Sequence, residues 1–369
     1  MIELVVLYGA AAAVVLALLA VRLVRMPRNV PLWAVTGVVA CLLIAFPFGV
    51  AADHRVSVFG LAPMFVRLLQ HGVLLVGANL LVFFFVFSTM DARSAWRRTL
   101  WYVVPLPIAL AAMMWAAFTA PAGAPADGRS TLAGAVLFSV ADAYLAIGFA
   151  AAFVWSRRYA RVVNARLARG LRIASWGMAA IVGADCLFIP SIVITQINPG
   201  HVSVAIASVL SFVGASLLLL PGTALFLLGV AYPAVAARWS AFRVWRRHLR
   251  AYRDLRPLWT ALSTEFPENA LTRAEISPWR DALTFSGVHR RYYRRVIECR
   301  DGLVLVSPYL TTEAADDAPL AGRLRDALAR HAAGQEPPCQ AMPVAVPPQR
   351  GLDADVAELV DLSRSLRPS

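Results

Sequence analysis

Residues 204–235 run from Val204-Ala205-Ile206-Ala207-Ser208-Val209-Leu210 through Leu217-Leu218-Leu219-Leu220 to Pro233-Ala234-Val235 without a charged side chain. Residues 238–250 then read Arg238-Trp239-Ser240-Ala241-Phe242-Arg243-Val244-Trp245-Arg246-Arg247-His248-Leu249-Arg250. A hydrocarbon core takes about 20 helical residues, and the first stretch exceeds that. The second stretch belongs in water or among lipid headgroups. The chain therefore changes solvent here, and each side needs its own reading.

The side before the junction reads as membrane. The whole chain is 59% hydrophobic and 15% charged, with a mean hydropathy of +0.63. Soluble domains run at about 45–50% apolar and about 25% charged. Apolar segments near 2–24, 32–50, 61–88, 99–120, 131–155 and 173–195 precede the one at 203–235, so seven spans are expected. Helices are the expected form, because an open sheet leaves backbone groups unpaired in lipid. The first segment does not read as a cleaved signal. Glu3 is its only early charge, and Arg22, Arg25 and Arg28 follow it.

Arginines in the short connections set the expected orientation. Arg22, Arg25 and Arg28 follow span one, and Arg93, Arg97 and Arg98 follow span three. Arg157, Arg158, Arg161, Arg166, Arg169 and Arg172 follow span five, and the Arg238 run follows span seven. The alternate loops hold only Arg55 beside Asp53, Arg129 beside Asp127, and none between spans six and seven. The positive-inside bias puts the N-terminus outside and the C-terminus inside the cell membrane.

Charge is unevenly spread. Residues 1–235 carry 15 Arg against 6 acidic residues, residues 238–256 carry 7 against one, and residues 257–369 carry 13 against 15. The basic excess fits contact with an anionic inner leaflet and argues against a nucleic-acid partner. Cys41, Cys186, Cys299 and Cys339 form no CxxC pair, so neither a disulfide framework nor a zinc site is expected.

After the junction, Trp239, Phe242, Trp245, Leu249, Tyr252, Trp259, Leu262 and Phe266 recur mostly at helical spacing, broken at Pro257. A linker is expected over 267–279. Val288, Tyr292, Val296, Cys299, Leu303 and Val306 form a second stripe, stopped by Ser307-Pro308, and a third helix is expected over 313–332. This gives a cytoplasmic helical domain over 238–336, a Pro-rich linker over 337–352, and a short helix or frayed tail over 353–369.

Four ionisable residues lie deep in spans: Arg67 and His71 in span three, Asp142 in span five and Asp185 in span six. Such groups are costly in lipid and mark sites or structural pairs. At 1.5 Å per residue, His71, Asp142 and Asp185 lie about 15–18 Å into their spans. Two readings stand. The four form a midplane site for an ion, proton or polar substrate, or Arg67 pairs with an aspartate to lock the bundle.

The soluble side lacks Walker A, GxGxxG, HExxH and GxSxG patterns, so neither an enzyme nor a cofactor or metal is expected. Its densest polar patch is His289 to Gly302. Arg294, Arg295, Glu298 and Asp301, with Arg243, Arg246, Arg247 and Arg250 of the exit, form an expected face for a cytosolic protein partner or the membrane surface. A salt-bridged solvated face is the alternative.

Tyr293-Arg294-Arg295-Val296-Ile297-Glu298-Cys299-Arg300-Asp301-Gly302-Leu303, then Ser307-Pro308-Tyr309, resembles the tail motif of an actinobacterial family of multi-pass membrane proteins. The stretch from Pro257-Leu258-Trp259 to Phe266-Pro267 is similar too. Cys299 departs from the aliphatic residue that the motif implies. The resemblance covers about 240–310 and implies a transporter label with a C-terminal domain of unknown function. It transfers no functional residue.

The expected fold is thus all-α: a seven-transmembrane helical bundle, N-out and C-in, followed by a small helical cytoplasmic domain. Two functions are expected from different classes. One is a transporter with a midplane polar site and a regulatory tail. The other is a receptor-like sensor signalling through its tail.

Overall fold

Prolines and short polar side chains set where the helices begin. Asn29 caps the helix that starts at Val30, its side chain accepting from Leu32 N at 3.0 Å. Asp91 and Thr131 do the same for Ser94 N and Gly134 N. Pro31, Pro63, Pro105 and Pro257 occupy first-turn positions, where a missing N–H costs nothing. The computed structural model describes residues 2–54, 56–121, 131–197, 200–269, 287–310, 319–347 and 351–367. The expected loop pairs at Arg55 and at Asp127–Arg129, and most of the 267–279 linker, lie outside those residues.

Every named element among the described residues is helical. The chain divides into two compact units, Met1–Ala237 and Arg238–Ser369. The first holds α1 (Ile2–Arg25), α2 (Val30–Asp53), α3 (Pro63–Thr89), α4 (Ala92–Val103), α5 (Pro105–Thr119), α6 (Leu132–Tyr159), α7 (Ala165–Ile197) and α8 (His201–Phe212). A π-helical stretch, Val213–Leu219, joins α8 to α9 (Leu220–Asp254), which runs on into the second unit.

Six helical runs are long and apolar enough to cross a membrane: Val30–Asp53, Pro63–Thr89, Arg93–Thr119, Leu132–Tyr159, Ala165–Ile197 and His201–Asp254. The third is α4 and α5 together, separated at Val104, where Pro105 and Pro107 lack donors. The protein is therefore an all-helical, multi-pass membrane protein. α2 packs on α3, α3 on α6, and α6 on α7, with α5 also against α6. Their shared core includes Leu75, Leu81, Phe85, Met113, Leu137, Phe138 and Met178.

α7 and α9 approach through glycine. A Cβ on Gly229 would stand 2.3 Å from Ala174 N, and one on Gly177 would stand 2.5 Å from Gly222 O. Small residues let helix backbones meet where lipid supplies no hydrophobic drive.

In the second unit, α10 (Arg256–Glu265) packs against α11 (Val288–Val306), α12 (Leu320–Ala332) and α13 (Leu352–Ser365). Tyr252, Leu258, Leu262, Val296, Leu303, Leu324 and Leu359 meet in one core. Two expectations are sharpened here, and a third is only partly covered by the described residues. The stretch expected as a Pro-rich linker is packed onto the domain over its described part. Val344 is buried, Arg300 donates to Val344 O at 2.8 Å and Ala345 O at 3.0 Å, and Met342 N donates to Ser307 Oγ. Second, the closing helix does not fray. Ser363 Oγ accepts from Leu258 N and donates to Asp254 O, and Arg364 and Arg367 both pair with Asp254. Third, the helix expected from 313 is described only from Leu320.

Candidate intramembrane polar site

α3 presents Arg67 and His71 one turn apart on a single face. Both are buried. Arg67 Nη2 donates to Asp53 Oδ1 at 2.5 Å, and Nη1 donates to Gln70 Oε1 at 2.8 Å. Phe138 of α6 lies under this pair. The Arg67 Cζ stands 5.7 Å from its ring centroid, and the His71 ring meets it edge-on at 5.3 Å. His71 Nδ1 is 3.1 Å from Arg67 O. A polar group that leaves water thus keeps a partner at every step.

Asp142 follows Phe138 by one turn on α6 and is 5% exposed, and Asp185 on α7 is 3% exposed. The Asp142 charge acts on Asp185 across the tightly packed α6–α7 interface. The Asp185 Oδ2 atom has no hydrogen-bond partner among the described residues. The Asp53 side chain is 70% exposed, whereas Arg67, His71, Asp142 and Asp185 are all buried. Among the four residues picked from the sequence, the described interactions link Arg67 with His71 and Asp142 with Asp185. The described ion-pair partner of Arg67 is Asp53, the last residue of α2.

The stretch of α7 around Asp185 is held by the irregular part of the neighbouring run. A Cβ on Gly214, in the π stretch, would stand 2.8 Å from the Phe188 ring, and one on Gly183 would stand 3.4 Å from Leu218. Ser191 Oγ donates to Ala207 O at 2.9 Å and pairs with Ser211 Oγ at 2.8 Å. π-helical turns occur frequently at functional sites. The sequence contains no periodicity that marks this one.

A second polar network was not anticipated. Asn79 Nδ2 donates to Tyr102 O at 2.8 Å and to Tyr144 OH at 2.9 Å. Tyr102 lies in the last turn of α4, just before Pro105. Asn79 therefore joins the end of α4 to Tyr144 of α6.

The expected surface face separates into exposed and buried members. Arg243, Arg246, Arg247, Arg250 and Asp301 are exposed, and Arg247 pairs with Asp353 at 3.3 Å. Arg294 is half-buried and pairs with Glu298 at 3.0 Å. Arg295 and Glu298 are corrected from a partner face to the interior. Arg295 donates to Tyr252 O and Tyr252 OH, with its guanidinium 3.7 Å and 4.7 Å from the Tyr252 and Trp259 ring centroids. Glu298 accepts from Trp259 Nε1 at 2.6 Å. Aromatic clamping makes a charge-dense helix compatible with burial.

Residues 244–368 match the model of a family of unknown function (DUF6545). The match covers most of the second unit and leaves out the first. Its description carries neither a transporter label nor an actinobacterial source. No curated protein and no solved structure matches the chain. The chain is thus a membrane-spanning helical protein whose C-terminal unit is similar to a domain of unknown function.

Proposed function

We propose that the protein is a cell-membrane transporter in which Asp142 and Asp185 form a shared proton- or cation-handling pair. It has seven spans counting α1, its N-terminus lies outside, and its second unit is a cytoplasmic regulatory domain. It needs no enzymatic step, cofactor or metal. The observation behind this reading is the buried carboxyl pair on facing helices. Two carboxylates in a low-dielectric slab repel, and a proton or a cation held between them removes that cost. Arg67, His71 and the exposed Asp53 form a polar approach to the same level of the bundle. The orientation is supported at the arginine-rich end, where Arg98 and Arg158 lie over Trp155 and Arg157 lies over Trp176, as in an interfacial belt.

The test is ion flux in proteoliposomes. With a pH gradient and an entrapped pH dye, the wild type moves protons or a counter-cation. Asp142→Asn and Asp185→Asn each lower that flux by about ten-fold or more while remaining monodisperse. Wild-type flux in both variants would reject the pair as the site.

A sensor reading draws on α9, one continuous helix from Leu220 to Asp254. Under it, a cytosolic protein docks on Arg243, Arg246, Arg247, Arg250 and Asp301. Inserting two glycines after Ala237 then abolishes partner recruitment without unfolding either unit. Under the transporter reading, the same insertion leaves basal flux in place.

A further inference from the structure

A groove of about 290 Å³ lies between the first turns of α6 and the last turns of α7. Val136, Val140, Ile192, Val193 and Ile197 make it almost wholly apolar, with Ser139 and Gln196 as its polar side chains. Val193 is 43% exposed and Ile197 79% exposed. On a membrane-crossing bundle such a flank faces acyl chains, so the groove opens sideways to the bilayer.

The same two helices carry the carboxyl pair, in register with the groove. On α6, Ala135, Ser139 and Asp142 recur at helical spacing, and Asp142 lies about 4.5 Å along the axis beyond Ser139. On α7, Asp185 and Ile192 are two turns apart on one face, about 10 Å along the axis. Neither aspartate lines the groove. Both lie deeper in the same interface, and the Asp185 Oδ2 is buried without a hydrogen-bond partner among the described residues.

These features narrow the ligand. An inorganic ion has no use for aliphatic walls. A neutral hydrophobe leaves the buried Asp185 Oδ2 unanswered, and an anion is repelled by the two carboxyls. We propose that the α6–α7 groove admits an amphiphilic organic cation from the bilayer, its apolar body against Val136, Ile192 and Val193 and its charge answered by Asp142 and Asp185. The proposal rests on the transporter reading and names its substrate class.

The test uses the full chain in nanodiscs, with tetraphenylphosphonium as probe and tetraphenylborate as its near-isosteric anionic control. Saturable phosphonium binding above empty discs, with none for the borate, is expected. Asp142→Asn and Asp185→Asn weaken it by about ten-fold or more. Val193→Trp, at the exposed lip, weakens it too, whereas Ile147→Trp, exposed elsewhere on α6, does not. Equal binding of the two probes, binding unchanged in both aspartate variants, or no binding above empty discs overturns the proposal. The probe comparison needs no variant, so misfolding cannot mask the result. Proton flux on the same preparation separates the two claims. Flux that depends on the carboxyl pair without phosphonium binding sinks the substrate class and leaves the transporter reading standing. Loss of both sinks both.

Discussion

His248 carries the clearest pH signature in the second unit. Its Nδ1 lies 2.7 Å from His289 Nδ1, and its ring stacks on Tyr292 at 4.1 Å. Burial holds its pKa below the ordinary histidine value, helped by His289 and Arg247 and opposed by Asp353. The unfolded chain therefore binds the proton more readily than the folded one. Stability is full above the ordinary value of about 6.5 and falls as pH drops from there toward the lowered folded value. Amide exchange over α11 should accelerate through that window, and His248→Gln should flatten the response. Cys299 differs in kind. Burial pushes its thiol up to about 12, so the side chain acts as a small apolar group in the core. That explains how it stands where the motif implies an aliphatic residue. Arg295 and Glu298 mislead in the opposite sense, since five arginines in His289–Asp301 read as a wet surface until the aromatic rings of Tyr252 and Trp259 are placed around one of them.

Helices were legible wherever a single physical cause produced them. The helices begin at Asn29, Asp91 and Thr131 caps and at first-turn prolines, which are local signals. Contacts between helices were not legible. The α7–α9 seam depends on Gly229 facing Ala174, and neither residue is unusual in its own run. Gly229→Val should separate the two helices at a cost of about 3 kcal/mol, because the added atoms meet backbone rather than a flexible side chain. A fall in the detergent melting temperature and a loss of monodisperse protein are the expected readouts. Unchanged melting would mean that the seam yields easily. The Pro-rich stretch was read as a linker for a similar reason. Its composition suits a loop, and contacts from distant residues, Arg300 and Ser307 among them, tie it down.

At the scale of the whole molecule, the two units have separate cores. The second contains Tyr252, Leu258, Val296, Leu303, Leu324 and Leu359, with buried polar groups met by Arg295, Ser307 and Ser363. A domain with its own core should fold alone. Residues 238–369 expressed separately should be soluble, helical by circular dichroism and cooperative on melting. A non-cooperative or aggregated product would mean that the first unit is needed. The family match begins at Val244 and ends at residue 368, close to these bounds.

The sequence by itself determined the solvent of each part, the helical class, and the charged residues that lipid makes expensive. Hydrophobic burial and backbone hydrogen bonding act over a few consecutive residues, so composition and spacing reveal them. Which charges meet was decided only by tertiary structure. Arg67 could have faced either buried aspartate on grounds of depth alone. The packing of α2 on α3 gave it Asp53, and the packing of α6 on α7 brought Asp142 and Asp185 into each other's field. Pairing depends on helix rotation and register, which small residues such as Gly177, Gly222 and Gly229 set through contacts between helices rather than along the chain.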